Sequence, residues 1–95
     1  MPMNRKDMHE AILALNIKEQ DVKQCRLIAV ACYKFLKAKE QGSNRSLQRI
    51  FTNDHWYNAT LDAEGWLTIS RKFGPTICCI QFEDACEHVR QEAVS

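Results

Sequence analysis

Polar and apolar positions change their period along the 95 residues, and the changes outline the elements. In NRKDMHEAILAL, 4–15, Met8, Ile12 and Leu15 recur at helical spacing. Asn4 can cap this helix, and Asp7 suits the positive end of its first turn. Asn16-Ile17-Lys18-Glu19 then restarts a helix, with Asn16 and Glu19 spaced as in a capping box. The second helix is predicted from 17 to about 41, with Gly42 as its left-handed stop. Val22, Cys25, Ile28, Ala29, Cys32, Phe35 and Leu36 form one stripe, and Lys23, Lys34 and Lys37 lie opposite. Leu27 and Val30 also fall on that opposite side, so the middle of the helix is apolar nearly all round. Two surfaces should cover it there: the first helix and a sheet, or a second subunit.

Beyond Gly42 the helical period is lost. Gly42-Ser43-Asn44 is loop chemistry. Leu47, Arg49 and Phe51 alternate like an edge strand, though one helical turn fits 43–52 nearly as well. HWYNATLDAEGWLTIS, 55–70, reads as a β-hairpin. Asp62-Ala63-Glu64-Gly65 suits a type I turn followed by a left-handed glycine. That loop pairs Asp62 with Trp66, Leu61 with Leu67 and Ala59 with Ile69. Tyr57, Ala59, Leu61, Leu67 and Ile69 then share one face, and Trp56, Asn58, Thr60, Trp66, Thr68 and Ser70 share the other. One apolar and one polar face is what a half-covered antiparallel sheet requires. Arg71 to Pro75 make a second connection, and TICCIQF, 76–82, a third strand. Cys78, Ile80 and Phe82 match the buried face, and Ile77, Cys79 and Gln81 the tryptophan face. Asp84 stands as N-cap of a helix over 85–93, which buries Ala85 and Val89, with Cys86 and Ala93 beside them. The fold class expected is α+β: two N-terminal helices (one long), a three- to four-stranded antiparallel sheet and a short C-terminal helix. Residues 1–95 are expected to form a single domain, with a helical part at 1–42 and the sheet plus C-terminal helix at 43–95.

Composition narrows the class. A 45% hydrophobic and 26% charged chain is an ordinary globular sequence. MPMNRKDMHE lacks the apolar core of a secretory signal, and no apolar run approaches a membrane span. A cytoplasmic protein without membrane attachment is expected. Five cysteines, an odd number, fit that location better than a disulfide framework, and their spacings match no zinc site. They read as small buried hydrophobes. Charge is uneven: residues 1–50 hold ten Lys/Arg and five Asp/Glu, whereas 51–95 hold three and seven. Two halves that neutralise each other account for this most simply.

Candidate chemistry is sparse. His9-Glu10 opens like a zinc-protease motif, but Leu13 stands where its second histidine belongs. Cys86 and His88 diverge by about 200° on a helix and cannot share a ligand. A small enzyme would have to gather Cys86, His88 and His55 in one pocket. No phosphate loop or nucleophile elbow is present in the sequence. No catalytic residue, metal or cofactor is therefore expected. Trp56, Trp66, Asn58, Thr68 and Ile77 are the candidate partner-binding residues, because tryptophan on an outer sheet face suits an interface hot spot. The expected function is a small non-enzymatic module that binds and modulates a macromolecular partner, most readily a protein. In size and lack of motifs it compares with inhibitors and adaptors of phages and mobile elements. A homodimer is compatible with this reading. The alternative is nucleic-acid binding through Lys23, Lys34, Lys37, Arg45, Arg49, Arg71 and Lys72, provided that they form one surface.

Overall fold

The computed structural model describes residues 4–15 and 22–94. The Asn16/Glu19 helix start lies outside the described residues. Helix α1 spans Arg5–Leu15 and α2 Val22–Glu40. Four strands follow: β1 Leu47–Thr52, β2 His55–Leu61, β3 Trp66–Arg71 and β4 Thr76–Gln81. Helix α3, Phe82–Val94, closes the described chain. The strands form one antiparallel meander in the order β1-β2-β3-β4. This is the expected α+β arrangement, with four strands because 47–52 is a strand.

The ends of the helices follow from local chemistry. Asn4 Oδ1 accepts from the Asp7 N–H at 2.8 Å, so Asn4 is the cap of α1. At the end of α2 the Ser43 N–H bonds the Ala38 carbonyl at 2.8 Å and the Gly42 N–H bonds that of Lys39 at 3.0 Å. With Gly42 at φ 79° this is a Schellman stop. Helix α3 begins earlier than the sequence pattern suggests. Phe82 turns directly from strand into helix, and Glu83 and Asp84 occupy the first turn, so Asp84 is not the N-cap. Its charge still suits the positive helix end.

The β2–β3 turn adopts the expected register. Leu61 pairs with Leu67, Ala59 with Ile69 and Asn58 with Ser70. Asp62 Oδ1 accepts from the N–H groups of Glu64 and Trp66, both at 2.9 Å, and Gly65 sits at φ 88°. The β1–β2 turn is tighter. Asn53 and Asp54 both have positive φ, 53° and 65°, which makes a two-residue loop of the kind that matches strand twist. It pairs Thr52 with His55 and therefore Phe51 with Trp56.

Tyr57, Ala59, Leu67, Ile69 and Ile50 bury on the helix side of the sheet. They join Met8 and Ala11 of α1, the α2 stripe around Cys32 and Phe35, and Ala85, Cys86 and Val89 of α3. Phe35 and Phe82 meet edge to face, with centroids 6.4 Å apart. The middle of α2 is covered within the chain: α1 and α3 pack on it, as does β1, and Leu27 and Ala31 are both buried. A second subunit is not needed for that task.

Removing the Asp62 carboxylate leaves two turn N–H groups without their acceptor. Asp62→Ala should cost about 1–2 kcal/mol. Gly65→Ala should cost at least about 1 kcal/mol, because an L side chain at this φ is strained and its Cβ would lie 3.1 Å from Gln81 Oε1. Urea unfolding midpoints check both.

Candidate interaction surface

With the helices on one side of the sheet, the other side faces outward. Alternation places Leu47, Arg49 and Phe51 of β1, Trp56, Asn58 and Thr60 of β2, Trp66, Thr68 and Ser70 of β3, and Cys79 and Gln81 of β4 there. No Asp or Glu stands among these strand positions. Phe51 is 56% exposed, Trp56 53%, Leu47 45% and Trp66 40%.

The two tryptophans sit at opposite ends of this face, as the turn register requires. Trp66 is in register with Gln81, beside the β2–β3 turn. The Trp56 carbonyl accepts from the Lys72 N–H at 3.3 Å, at the other end. Trp56 has an aromatic neighbour, Phe51, whose ring centroid lies 5.2 Å away at a 52° tilt. Phe73, 92% exposed in the β3–β4 turn, stands under the Lys72 ammonium at 5.3 Å. A shallow recess of about 420 Å³ lies between Trp56 and residues 71–75. One end of the sheet thus carries three exposed aromatic rings, with Arg49 and Lys72 beside them. Asn58 and Thr68 lie between this end and Trp66.

Phe51 and Phe73 were not among the partner-binding candidates of the sequence, although Phe51 already stood in the alternation of the 47–51 stretch. The signal for Phe51 was Asn53-Asp54, two residue types that accept positive φ and so fix the short loop. Ile77 departs from expectation. A bulge opposite Ile69/Ser70 makes it the extra residue of β4. It lines a recess with Gln24, Leu27, Asn53, His55 and Tyr57, on the helix side rather than with the tryptophans.

The seven basic candidates divide. Lys34, Lys37 and Arg45 line one recess along β1 with Tyr33 and Gln48. Lys34 Nζ donates to the Arg49 carbonyl at 2.8 Å. Arg71 reaches His55 Nδ1 at 2.7 Å, and Lys72 stands over Phe73. Lys23 lies in the first turn of α2, and its side chain falls outside the described ones. The acidic half meets part of the basic half at the far end. There Lys39 and Arg45 share the walls of a recess of about 670 Å³ with Asp62, Glu64 and Glu83.

Cys86, His88 and His55 do not converge. Cys86 is buried on the inner side of α3, His88 is exposed, and His55 is held by Arg71. Among the described residues no group of three or more His, Cys, Asp or Glu is placed to hold a metal ion. Cys32 and Cys86 meet across the α2–α3 contact. The hydrogen bond with Cys86 and then burial hold the Cys32 thiol well above its usual range. Burial, helped by Glu92, pushes Cys25 up to about 11. Desolvation followed by the neighbouring Cys79 raises Cys78. These thiols behave as small core side chains, and Cys79 is the exposed one. No helix among the described residues is long and apolar enough to cross a membrane. Comparison with protein-family models, curated proteins and solved structures finds no match to this chain.

Exposure sets the order of reactivity, because a thiol closed into the core reacts only when the fold opens. With a chromogenic disulfide reagent at mildly alkaline pH, Cys79 should react first. Cys25, Cys32 and Cys86 should lag by about 100-fold or more, at the rate of local opening. Early modification of Cys32 or Cys86 by peptide mapping would contradict a closed α2–α3 contact.

Proposed function

We propose that the chain is a small non-enzymatic protein-interaction module that docks a partner on the outer face of its sheet. The observation that supports this reading is the aromatic end of that face: Phe51 packed on Trp56 at 5.2 Å, both more than half exposed. Exposed aromatics packed against each other offer large contact area with few rotatable bonds, the character of interface hot spots. Arg49, Lys72 and the absence of strand carboxylates favour a partner that is apolar at its centre and acidic at its rim. Asn58 and Thr68 supply hydrogen-bonding groups between this end and Trp66. The role is to bind and modulate such a partner, in the manner of an inhibitor or adaptor acting in the cytoplasm.

Nucleic-acid binding is the second reading, favoured by the convergence of Lys34, Lys37 and Arg45 beside β1. The two readings separate by salt and by residue. A phosphate backbone loses affinity steeply with salt and depends on Lys37 and Arg45. A protein docked on the aromatic end depends on Phe51 and Trp56.

Capture of partners from a host lysate, identified by mass spectrometry, should yield a protein whose affinity falls at least about tenfold in Phe51→Ala/Trp56→Ala. Lys37→Ala/Arg45→Ala should leave that affinity within about threefold. Undiminished capture by the aromatic double variant would sink the reading. A salt-sensitive shift of DNA or RNA lost in the Lys37/Arg45 variant would replace it with the second.

A further inference from the structure

The two edges of the sheet are finished differently. In β1 the pairing of Leu61 N–H with the Ser46 carbonyl, 2.9 Å, turns the backbone groups of Arg49 away from β2. The Lys34 ammonium takes that outward carbonyl, and Arg49 adds a charge to the strand. Both features blunt an edge against further pairing. In β4 the Phe82 N–H bonds the Gly65 carbonyl at 2.8 Å, which sets the ladder so that Cys78 and Ile80 face β3. Cys79 and Gln81 therefore turn their N–H and C=O groups outward. The strand is Thr-Ile-Cys-Cys-Ile-Gln, with no charge, no proline and no glycine. Cys79 is exposed and Gln81 half-buried.

Among the described residues no strand pairs with this edge, and the partner that completes a whole ladder is another extended strand. Pairing with a second copy sets the strand against a reversed copy of itself, so charges of one sign along it would meet each other and an uncharged strand carries no such repulsion. We propose that β4 pairs antiparallel with β4 of a second copy of this chain. The bulge at Ile77 selects the register. The regular stretch 78–81 allows Ile80 to face Ile80 of the second copy, with Cys79 opposite Gln81 on each side of the two-fold axis. The outward groups of Cys79 and Gln81 then close four hydrogen bonds, and the two sheets become one of eight strands. The contact is narrow, well under the roughly 800 Å² per partner of a standard interface. The dimer is accordingly weak and concentration-dependent. Helix α3, which packs on β3 and β4, carries Glu83, Asp84, Glu87 and Glu92 against Arg90. Two such helices come to lie on the same side of the joined sheet, so added salt strengthens the association by screening them. The proposal is independent of the aromatic face.

Sedimentation equilibrium under reducing conditions tests it. Between about 10 µM and about 1 mM protein, the mass should rise from that of one 11.0 kDa chain towards two, and further at higher salt. Cys79→Pro removes the outward N–H together with the Thr68 Oγ1 contact to the thiol at 3.5 Å, but no hydrogen bond of the ladder to β3, and should stay monomeric with its helix and sheet content unchanged, whereas Cys79→Ser should behave as the parent. Two charge variants guard against a proline that misfolds. Cys79→Lys/Gln81→Lys places like charges opposite each other and should abolish association. Cys79→Lys/Gln81→Glu places opposite charges and should tighten it several-fold. A parent chain that stays monomeric throughout, or equal association of the Lys/Lys and Lys/Glu variants, would overturn the proposal. Loss of the dimer in Phe51→Ala/Trp56→Ala with retention in Cys79→Pro would also overturn it, in favour of face-to-face contact.

Discussion

A strand offers two faces that alternate with every residue, so a slip of one position exchanges them completely. In this protein the slip is blocked at residues 62–65. Asp62 Oδ1 takes the N–H groups of Glu64 and Trp66, and Gly65 occupies a backbone region that few other residues tolerate. Much of the rest depends on this small network. It puts Ala59, Leu67 and Ile69 under the helices and leaves Trp56 and Trp66 on the outside. Without it, the aromatic face and the core would compete for the same side of the sheet.

The helices answer the inner face. Helix α2 is apolar on more than one side because it is enclosed by α1, α3 and the sheet. Cysteine is well suited to such a crowded site, being small, weakly polar and able to share a hydrogen bond with another thiol. The Cys32–Cys86 contact lies where α3 meets α2, next to the Phe35–Phe82 pair. Phe82 also marks the corner at which β4 becomes α3. The tight corner keeps α3 on β3 and β4, and β4 at the margin of the sheet with no further strand beside it among the described residues.

The proposed function rests on what the helix layer does not cover. On the outer face the aromatic residues gather at one end, and carboxylates are absent from the strands. The uneven charge of the chain has a partly local resolution, since Lys39 and Arg45 share a recess with Asp62, Glu64 and Glu83. Arg49 and Lys72 sit instead beside the aromatic end. The two sheet edges also differ: Lys34 takes an outward carbonyl of β1, whereas β4 is uncharged and pairs with no further strand among the described residues.

The elements with strong local signals were legible from the amino-acid order: the Asn4 cap, the Gly42 stop, the register around Asp62 and Gly65, and the inward faces of α2 and α3. Each depends on contacts within a few residues or on a period the chain carries itself. The strand at 47–52 was not decidable locally, since its period is short and only pairing with β2 supplies its hydrogen bonds. The early start of α3 was hidden because Phe82 suits a buried strand end and a buried helix start equally. Ile77 changed sides because a bulge is a mismatch between two strands, which one strand cannot report. The sequence by itself determined which residues could face outward together on the hairpin. The tertiary structure decided that Phe51 joins Trp56, that the basic residues divide, and that β4 rather than β1 is left open. Those outcomes depend on how strands and helices meet across the fold, and local periodicity carries no record of that.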